Sequence, residues 1–189
     1  MYGLVNKAVE GLVCSQFGEE TWEKIKSKAG VTEVAFVSNK GYPDSLTYDL
    51  VAAASEVLGM SSRDILIAFG EYWVLETARK SYGELMTAGG SSLPEFLQKL
   101  PNFHARVSLI FPKLKPPSFR VSEVTERSLR LHYSSHREGL EDFVVGLVQG
   151  LGKMFETPAT CRLIESGGTN RNDSNTWTRY FHVEWEEAA

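Results

Sequence analysis

Apolar residues in the N-terminal part of the chain recur at steps of three and four positions, which is the spacing of an amphipathic helix. Stripes of this kind cover residues 2–17, 19–29 and 45–58. Gly30 and Gly59 directly follow the second and third stripes, and glycine is common just beyond the end of a helix. The pattern therefore predicts three consecutive helices at the start of the chain.

Further helices are predicted from residues that favour helix starts. Ser61 and Asp64 resemble a capping box with Asp in place of Glu, and another apolar stripe follows them. Pro94 marks one more start, because proline is favoured in the first turn of a helix. A short helix centred on His104 is predicted to end before Pro112.

The hydrophobic period changes to two in the last part of the chain, which is typical of half-buried strands. Four segments alternate in this way: residues 119–124, 128–133, 159–164 and 177–185. Residues 138–155 lie between the second and third segments and carry apolar positions almost all around a helix, so we expect this helix to be buried on most sides. A polar loop is predicted at residues 167–175.

Helices that precede a run of strands predict an α+β fold. We expect an N-terminal helical lobe, about residues 1–60, packed on a C-terminal lobe, about residues 61–189, that contains a four-stranded antiparallel sheet and helices. The chain has 189 residues, which suits a single domain at roughly 150 residues per domain and is long enough to enclose a pocket.

Three glycines interrupt the apolar helix predicted at residues 138–155, and each costs roughly 1 kcal/mol of helix stability relative to alanine. They are Gly146, Gly150 and Gly152. Such a cost indicates that another element approaches the helix backbone closely, and the sheet is the plainest candidate.

Charge and composition exclude several classes of protein. The formal net charge is −4, so the basic surface expected of a nucleic-acid-binding protein is missing. No apolar run approaches the roughly 18 residues of a membrane span, and Lys7 and Glu10 lie where a signal peptide would be apolar. Cys14 and Cys161 have no close Cys or His neighbour at zinc-ligand spacing, so we expect core thiols. These observations predict a cytoplasmic protein without nucleic-acid or membrane partners.

Two features of the sequence could carry chemistry. His104 adjoins an apolar stripe, where a neutral imidazole could bind a metal ion; a single axial His is enough for haem iron. In an extended segment alternate side chains share a face, so Tyr133, Ser135 and Arg137 would present three donors to one spot, which we call the anion clamp. Such a group suits a carboxylate or phosphate. The plainer interpretations are a core histidine and an exposed polar strand end.

Several motifs together resemble a known family. They are Leu-Pro-Asn-Phe-His-Ala-Arg, the following Phe-Pro-Lys-Leu-Lys-Pro-Pro, the Tyr-x-Ser-x-Arg of the anion clamp and the opening Met-Tyr-Gly-Leu-Val-Asn. In this order, and over essentially the whole chain, they are similar to the haem nitric oxide/oxygen-binding (H-NOX) domains related to the haem domain of soluble guanylate cyclase. The resemblance implies haem b (iron protoporphyrin IX) between the two lobes, with His104 as the axial iron ligand. It also implies that Tyr133, Ser135 and Arg137 hold the haem propionates and that Pro117 distorts the ring.

The resemblance further implies a gas pocket on the other side of the haem. Its predicted lining residues are Val5, Trp73, Phe143 and Leu147. Oxygen-binding members of the family carry a Tyr on the helix after the clamp motif, whereas residues 138–155 contain none and Phe143 stands where it would be expected. Bound O₂ needs a hydrogen-bond donor and NO does not, so an apolar pocket favours NO. The Trp73 indole could donate, although packing is its plainer role. Other hydroxyls that could reach the pocket are those of Tyr2 and Tyr72.

The sequence therefore favours a gas sensor that binds NO and CO and is not itself an enzyme. By resemblance, a bacterial member passes its signal to a separate protein, a histidine kinase or a diguanylate cyclase. A haem enzyme of peroxidase type would need a distal base, which the predicted pocket residues do not provide. A carrier of another apolar anion, such as a fatty acid, would use the anion clamp but leave His104 without a role.

Overall fold

The computed structural model describes residues 1–110, 116–164 and 176–186. The elements in chain order are α1 (Gly3–Phe17), α2 (Glu19–Lys28), α3 (Asp44–Leu58), α4 (Ser62–Tyr72), a π-helix (Trp73–Ala78), α5 (Arg79–Thr87), α6 (Leu93–Ile110), β1 (Ser118–Ser122), β2 (Ser128–Ser135), α7 (Glu141–Met154), β3 (Ala159–Leu163) and β4 (Trp177–Trp185). The polar loop predicted at residues 167–175 and residues 111–115 of the proline-rich motif lie outside the described residues. In the described part of the chain, no helix has both the length and the apolar character needed to cross a membrane.

The four strands form one antiparallel sheet in the order β1-β2-β4-β3. Burial alternates along all of β2, because its inward side chains pack on the core and its outward ones face solvent. The inward residues of β2 are Leu129, Leu131, Tyr133 and Ser135. The predicted α+β class with a four-stranded antiparallel sheet is confirmed.

Two hydrophobic cores organise the molecule. The first lies among α1 to α4 and includes Trp22, Ile25 and Leu50, while the second lies between α6, α7 and the sheet. Burying one large apolar side chain contributes about 1.5–3 kcal/mol, so each cluster can hold its own helices together. The buried side chains of α4, such as Phe69, belong to the first core. The lobe boundary near residue 60 stays a prediction.

The helix that carries His104 is longer than the sequence indicated. A single helix, α6, runs through Pro101 and covers both predicted starts, so the prediction of a short helix centred on His104 is wrong. Proline removes one helical hydrogen bond and normally breaks a helix. Here the apolar stripe continues past it, because Leu97, Leu100 and Val107 are all buried against the second core. Packing therefore overrides the local preference.

Two helices from different cores touch at backbone distance where α4 crosses α7. A side-chain carbon added at Gly146 would collide with the carbonyl oxygen of Ile67, and one added at Gly70 would collide with the carbonyl oxygen of Phe143. Only glycine permits this approach, because it has no Cβ. The crossing, which we call the glycine contact, fixes the two cores relative to each other.

The glycine contact corrects the expectation that the glycines of α7 face the sheet. Gly146 and Gly150 face α4 and the start of the π-helix, where a Cβ at Gly150 would lie 3.0 Å from Val74 Cβ. Gly152 does face the start of β3, at 3.2 Å from the Ala159 nitrogen. Sequence alone could not distinguish these partners, because a glycine indicates close approach but not of what.

Replacing Gly146 by Ala should destabilise the protein, because the new methyl group meets the Ile67 backbone rather than a side chain that could move. Overpacking of this kind costs about 1–3 kcal/mol, measured as the free energy of unfolding in urea. The matched control is Gly83→Ala, since Gly83 lies in α5 with open space around it. That variant should be as stable as the wild type or slightly more stable. Equal losses in both variants would contradict the glycine contact.

Candidate functional site

A cavity of about 260 Å³ lies between the two cores. Its walls are mostly apolar and come from α1, α3 and α4 on one side and from α6, α7 and the sheet on the other. All nine residues that the sequence predicted for the site line this cavity: Val5, Trp73, His104, Pro117, Tyr133, Ser135, Arg137, Phe143 and Leu147. The structure therefore brings these side chains together, while the role of each stays a prediction.

His104 lies on α6 with its ring between two phenylalanines. The ring stacks on Phe119, with 5.4 Å between centroids and 21° between ring planes, and meets Phe103 at 5.6 Å. The residue as a whole is half-buried, but its Nδ1 atom is enclosed and has no hydrogen-bond partner among the described residues. Burial lowers the pKa of His104 to about 4. The imidazole is therefore neutral near pH 7 and keeps a lone pair that a metal ion can use.

The anion clamp lies at the end of β2. Tyr133 and Ser135 face inward and are buried. The strand ends at Ser135, so the extended spacing predicted for Arg137 is wrong: the chain bends, and the Ser135 hydroxyl oxygen accepts a hydrogen bond from the Arg137 amide at 3.0 Å. The Arg137 side chain still lines the cavity. Burial is the main cause of the raised pKa of Tyr133, so its hydroxyl keeps the proton and can donate to a carboxylate.

Phe119 connects His104 with the anion clamp. It pairs with Tyr133 in the β1–β2 ladder, and the two rings have centroids 5.3 Å apart. The other face of the Phe119 environment is the His104 ring described above. A continuous row of three rings therefore runs from the histidine to the clamp, and a shift of the histidine would be felt at Tyr133 through packed side chains.

Asp44, which the sequence analysis did not single out, holds the clamp arginine. It is the first residue of α3; its Oδ2 accepts a hydrogen bond from Arg137 Nε at 2.8 Å, and its Oδ1 pairs with the Met1 amine. Burial alone would raise the pKa of Asp44, but the hydrogen bond from the amine and the charge of Arg137 outweigh it and lower the pKa. The carboxylate is therefore charged near pH 7. Asp44 and Arg137 are 93 positions apart, so no local pattern could reveal the pair.

The wall formed by α4, the π-helix and α7 is aromatic. Phe69 packs against Phe143 with 4.9 Å between ring centroids, and it meets Trp73 edge-on at 6.3 Å. The π-helix begins at Trp73, where the sequence predicted that the preceding helix simply continues. π-helical turns are rare and occur mostly at functional sites. The wider turn brings Trp73, Val74 and Ala78 to the cavity.

Tyrosines at the cavity are a second feature that the sequence analysis largely missed. Tyr2, Tyr48 and Tyr82 line the cavity, whereas Tyr72 does not, because its hydroxyl lies against Gly11. The Tyr48 hydroxyl donates to a backbone carbonyl of the β2–α7 loop at 2.9 Å. Tyr82 lies at a kink in α5, with φ −139° and ψ 21°. Its position depends on that kink, for which the sequence carries no recognisable signal.

Thr47 is a polar residue of the cavity wall whose proton is already used. Its hydroxyl donates to Asn6 Oδ1 at 2.6 Å, and both residues are buried. The Asn6 amide nitrogen has no partner among the described residues. An unmade buried hydrogen bond costs about 1–3 kcal/mol, so this pair is a strained polar spot behind an apolar wall.

Fold and site together define a class of protein: an α+β domain that encloses an apolar, anionic ligand between two cores, with one neutral histidine on a wall and an anion clamp at the edge. Residues 2–163 match the family model described as Haem-NO-binding. The chain therefore belongs to the haem-NO-binding family, whose members are haem-binding gas-sensor domains.

Individual relatives agree with this assignment. Soluble guanylate cyclase gcy-31 of Caenorhabditis elegans is 29% identical over 166 residues, which are 87% of this chain and 24% of that protein. The chain thus spans about a quarter of the length of this curated relative. A variant of the H-NOX protein from K. algicida in its unliganded Fe(II) state is 25% identical with a TM-score of 0.81, covering 99% of this chain and 97% of that one. An H-NOX protein from S. oneidensis shares the fold, with a TM-score of 0.85, 18% identity and coverage of 100% and 98%.

The residues of the cavity fit a haem. The enclosed Nδ1 of His104 shows an imidazole whose hydrogen-bonding capacity the described residues leave unfilled. Apolar walls suit the porphyrin faces, and the Arg137 guanidinium and two hydroxyls suit carboxylates. Each chemical part of a haem therefore has a matching group in one cavity.

The buried, neutral state of His104 should make the haem-free protein less stable at acid pH. The unfolded chain binds the histidine proton near pH 6.5 and the folded chain only near pH 4, so stability is lost as the pH falls from 6.5 towards 4. Between pH 7 and pH 5 the loss should be about 2 kcal/mol. Urea unfolding at the two pH values, compared with His104→Leu, measures it. Parallel pH dependence of both proteins would contradict the burial of a neutral imidazole.

Proposed function

We propose that this chain is a cytoplasmic gas-sensor domain that binds nitric oxide and carbon monoxide at a five-coordinate ferrous haem b. The observation that carries the proposal is the enclosed, neutral His104 in the same cavity as the anion clamp. When bound, haem supplies a ferrous iron that takes up diatomic gases. The residues of the chain hold the ring, exclude water and select among the gases.

His104 is the proposed axial ligand of the iron. Its ring is held by Phe119 and Phe103, so its orientation is fixed by packing before any ligand arrives. Pro117 lies near the same wall of the cavity, and the resemblance stated above supports a role in distorting the ring. The remaining polar atoms near His104 are few, which keeps the imidazole neutral.

The anion clamp is the proposed site of the haem propionates. Arg137 supplies a charge-assisted hydrogen bond, which is roughly twice as strong as one between neutral groups. Asp44 holds the Nε edge of the guanidinium, and Tyr133 and Ser135 add hydroxyl groups. The clamp therefore combines one cation with neutral donors on a rigid strand end.

Val5, Phe143 and Leu147 are proposed to face the bound gas. No tyrosine lies on α7 to donate to a ligand, and the Thr47 proton is engaged by Asn6. Trp73 and Tyr82 are the donors that could act instead. A mostly apolar wall stabilises NO and CO, which need no hydrogen bond, better than O₂.

Among the described residues that line the cavity, His104 is the only imidazole, and none is Asp, Glu or Lys. A peroxidase-type reaction needs a base on the gas side in addition to the axial ligand, so we propose that the chain itself is not an enzyme. We further propose that the output passes to a separate signalling protein, a histidine kinase or a diguanylate cyclase, on the strength of the resemblance to bacterial members of the family.

His104→Gly should lose haem, or retain it only when free imidazole replaces the missing ligand. The measurement is the Soret absorbance of protein purified with and without imidazole. His132→Gln is the control, because His132 lies on the outer face of the sheet with its Nε2 bonded to Ser122 Oγ at 2.7 Å; it should bind haem like the wild type. A wild-type five-coordinate ferrous spectrum for His104→Gly without imidazole would rule out the assignment. A wild-type protein without a Soret band would instead favour the carrier of another apolar anion.

The ferrous protein should form stable complexes with NO and CO and no lasting complex with O₂, because α7 offers no tyrosine donor. Absorption spectra recorded under each gas, and over time in air, test this selectivity. If an oxygen complex persists in air, the apolar wall is not what decides selectivity. Comparison of Trp73→Phe with Tyr82→Phe would then identify the donor.

A further inference from the structure

A buried ion pair lies beside the anion clamp and is not part of the proposed site. Arg179 on β4 is 9% exposed, and its Nε lies 2.8 Å from Glu141 Oε1. The guanidinium also lies over the Trp177 ring, 5.4 Å from its centroid. Arginine is rarely so buried unless it is paired, so this side chain is held in one orientation by two neighbours.

The pair is adjacent to the anion clamp through the sheet. β4 is the neighbour of β2, with Arg179 opposite Tyr133 and Trp177 opposite Ser135. Residues directly opposite in an antiparallel pair have side chains about 5 Å apart on the same face. The electrostatics agree: burial is the main cause of the raised pKa of Tyr133, Glu141 raises it further, and Arg179 lowers it. The ion pair therefore acts on the clamp hydroxyl from behind.

Glu141 is the first residue of α7, the helix that forms part of the gas-side wall. Phe143 and Leu147 line the cavity two and six residues further along. The other end of α7 is joined to α4 by an exposed pair, Lys153 Nζ and Glu71 Oε2 at 2.7 Å. The two ends of the same helix thus carry ion pairs of opposite character, one buried and one in solvent.

We infer that Glu141 and Arg179 are positioning residues that couple the anion clamp to the gas-side wall. The pair fixes the start of α7 against the strand next to the clamp. A displacement of the clamp is therefore transmitted to Phe143, and the reverse. This inference rests on the proposed haem site. A buried ion pair contributes little net stability, but removal of one partner leaves an uncompensated charge, so its main effect here is on geometry.

The test compares Glu141→Gln, Glu141→Asp and Lys153→Gln in the haem-loaded protein. Glu141→Gln removes the charge at constant shape, and Glu141→Asp keeps the charge but shortens the arm by one methylene, which covers the case in which the first variant fails to fold. The readouts are the rate of CO release from the ferrous protein, the propionate bands in the resonance Raman spectrum, and the melting temperature. The first two report on gas-side wall and clamp separately.

Both Glu141 variants should change the CO release rate by about fivefold or more and shift the propionate bands, while Lys153→Gln should leave both readouts at the wild-type values. Rescue of the rate by the charge swap Glu141→Arg with Arg179→Glu would further support the pair. A lower melting temperature with both spectroscopic readouts unchanged would overturn the inference and leave a merely structural pair. Equal shifts in Lys153→Gln would also overturn it. Absence of haem in the wild type would overturn the proposed function itself.

Discussion

The arrangement of the molecule depends on the close crossing of α4 and α7. Gly70 and Gly146 allow the two backbones to touch, and this contact joins the helical core to the core of the sheet. Because proteins pack almost without voids, two cores held at one fixed crossing leave their gap elsewhere, and here that gap is the cavity. The aromatic wall of Phe69 and Phe143 lies directly beside the crossing. Ligand space and lobe contact are therefore set by the same pair of helices.

Charge is distributed around the cavity by pairing rather than by exposure. Arg137 is held by Asp44 and Arg179 by Glu141, so each arginine near the clamp has its own carboxylate. His104 differs, since burial removes its charge and nothing described satisfies its Nδ1. A ligand with two carboxylates and a metal centre complements both conditions, because it brings anions to the arginines and an electron-pair acceptor to the imidazole.

Much of the fold could be predicted from local patterns, and less of the site. The alternation in the strands and the glycine stops of the first helices depend on neighbouring residues, so the sequence carries them directly. The continuation of α6 through Pro101 depends on burial of residues on both sides of it, which no local rule contains. Asp44 and Arg179 were missed because their partners lie far along the chain and are ordinary charged residues in isolation. His104 and the clamp were found because a motif, rather than physics alone, connected them.

The π-helix makes the length of one segment more important than its composition. Each residue in a helix turns the chain by about 100°, and the π-helical turn accommodates one residue more than an α-helical turn would. Deleting a single residue from Trp73–Ala78 would restore ordinary helix and rotate everything that follows by that angle. Tyr82 and Met86, which line the cavity from α5, would then turn away from it. Relatives that diverge in this stretch can exchange side chains freely, but an insertion or deletion there would rebuild one side of the pocket in a single step.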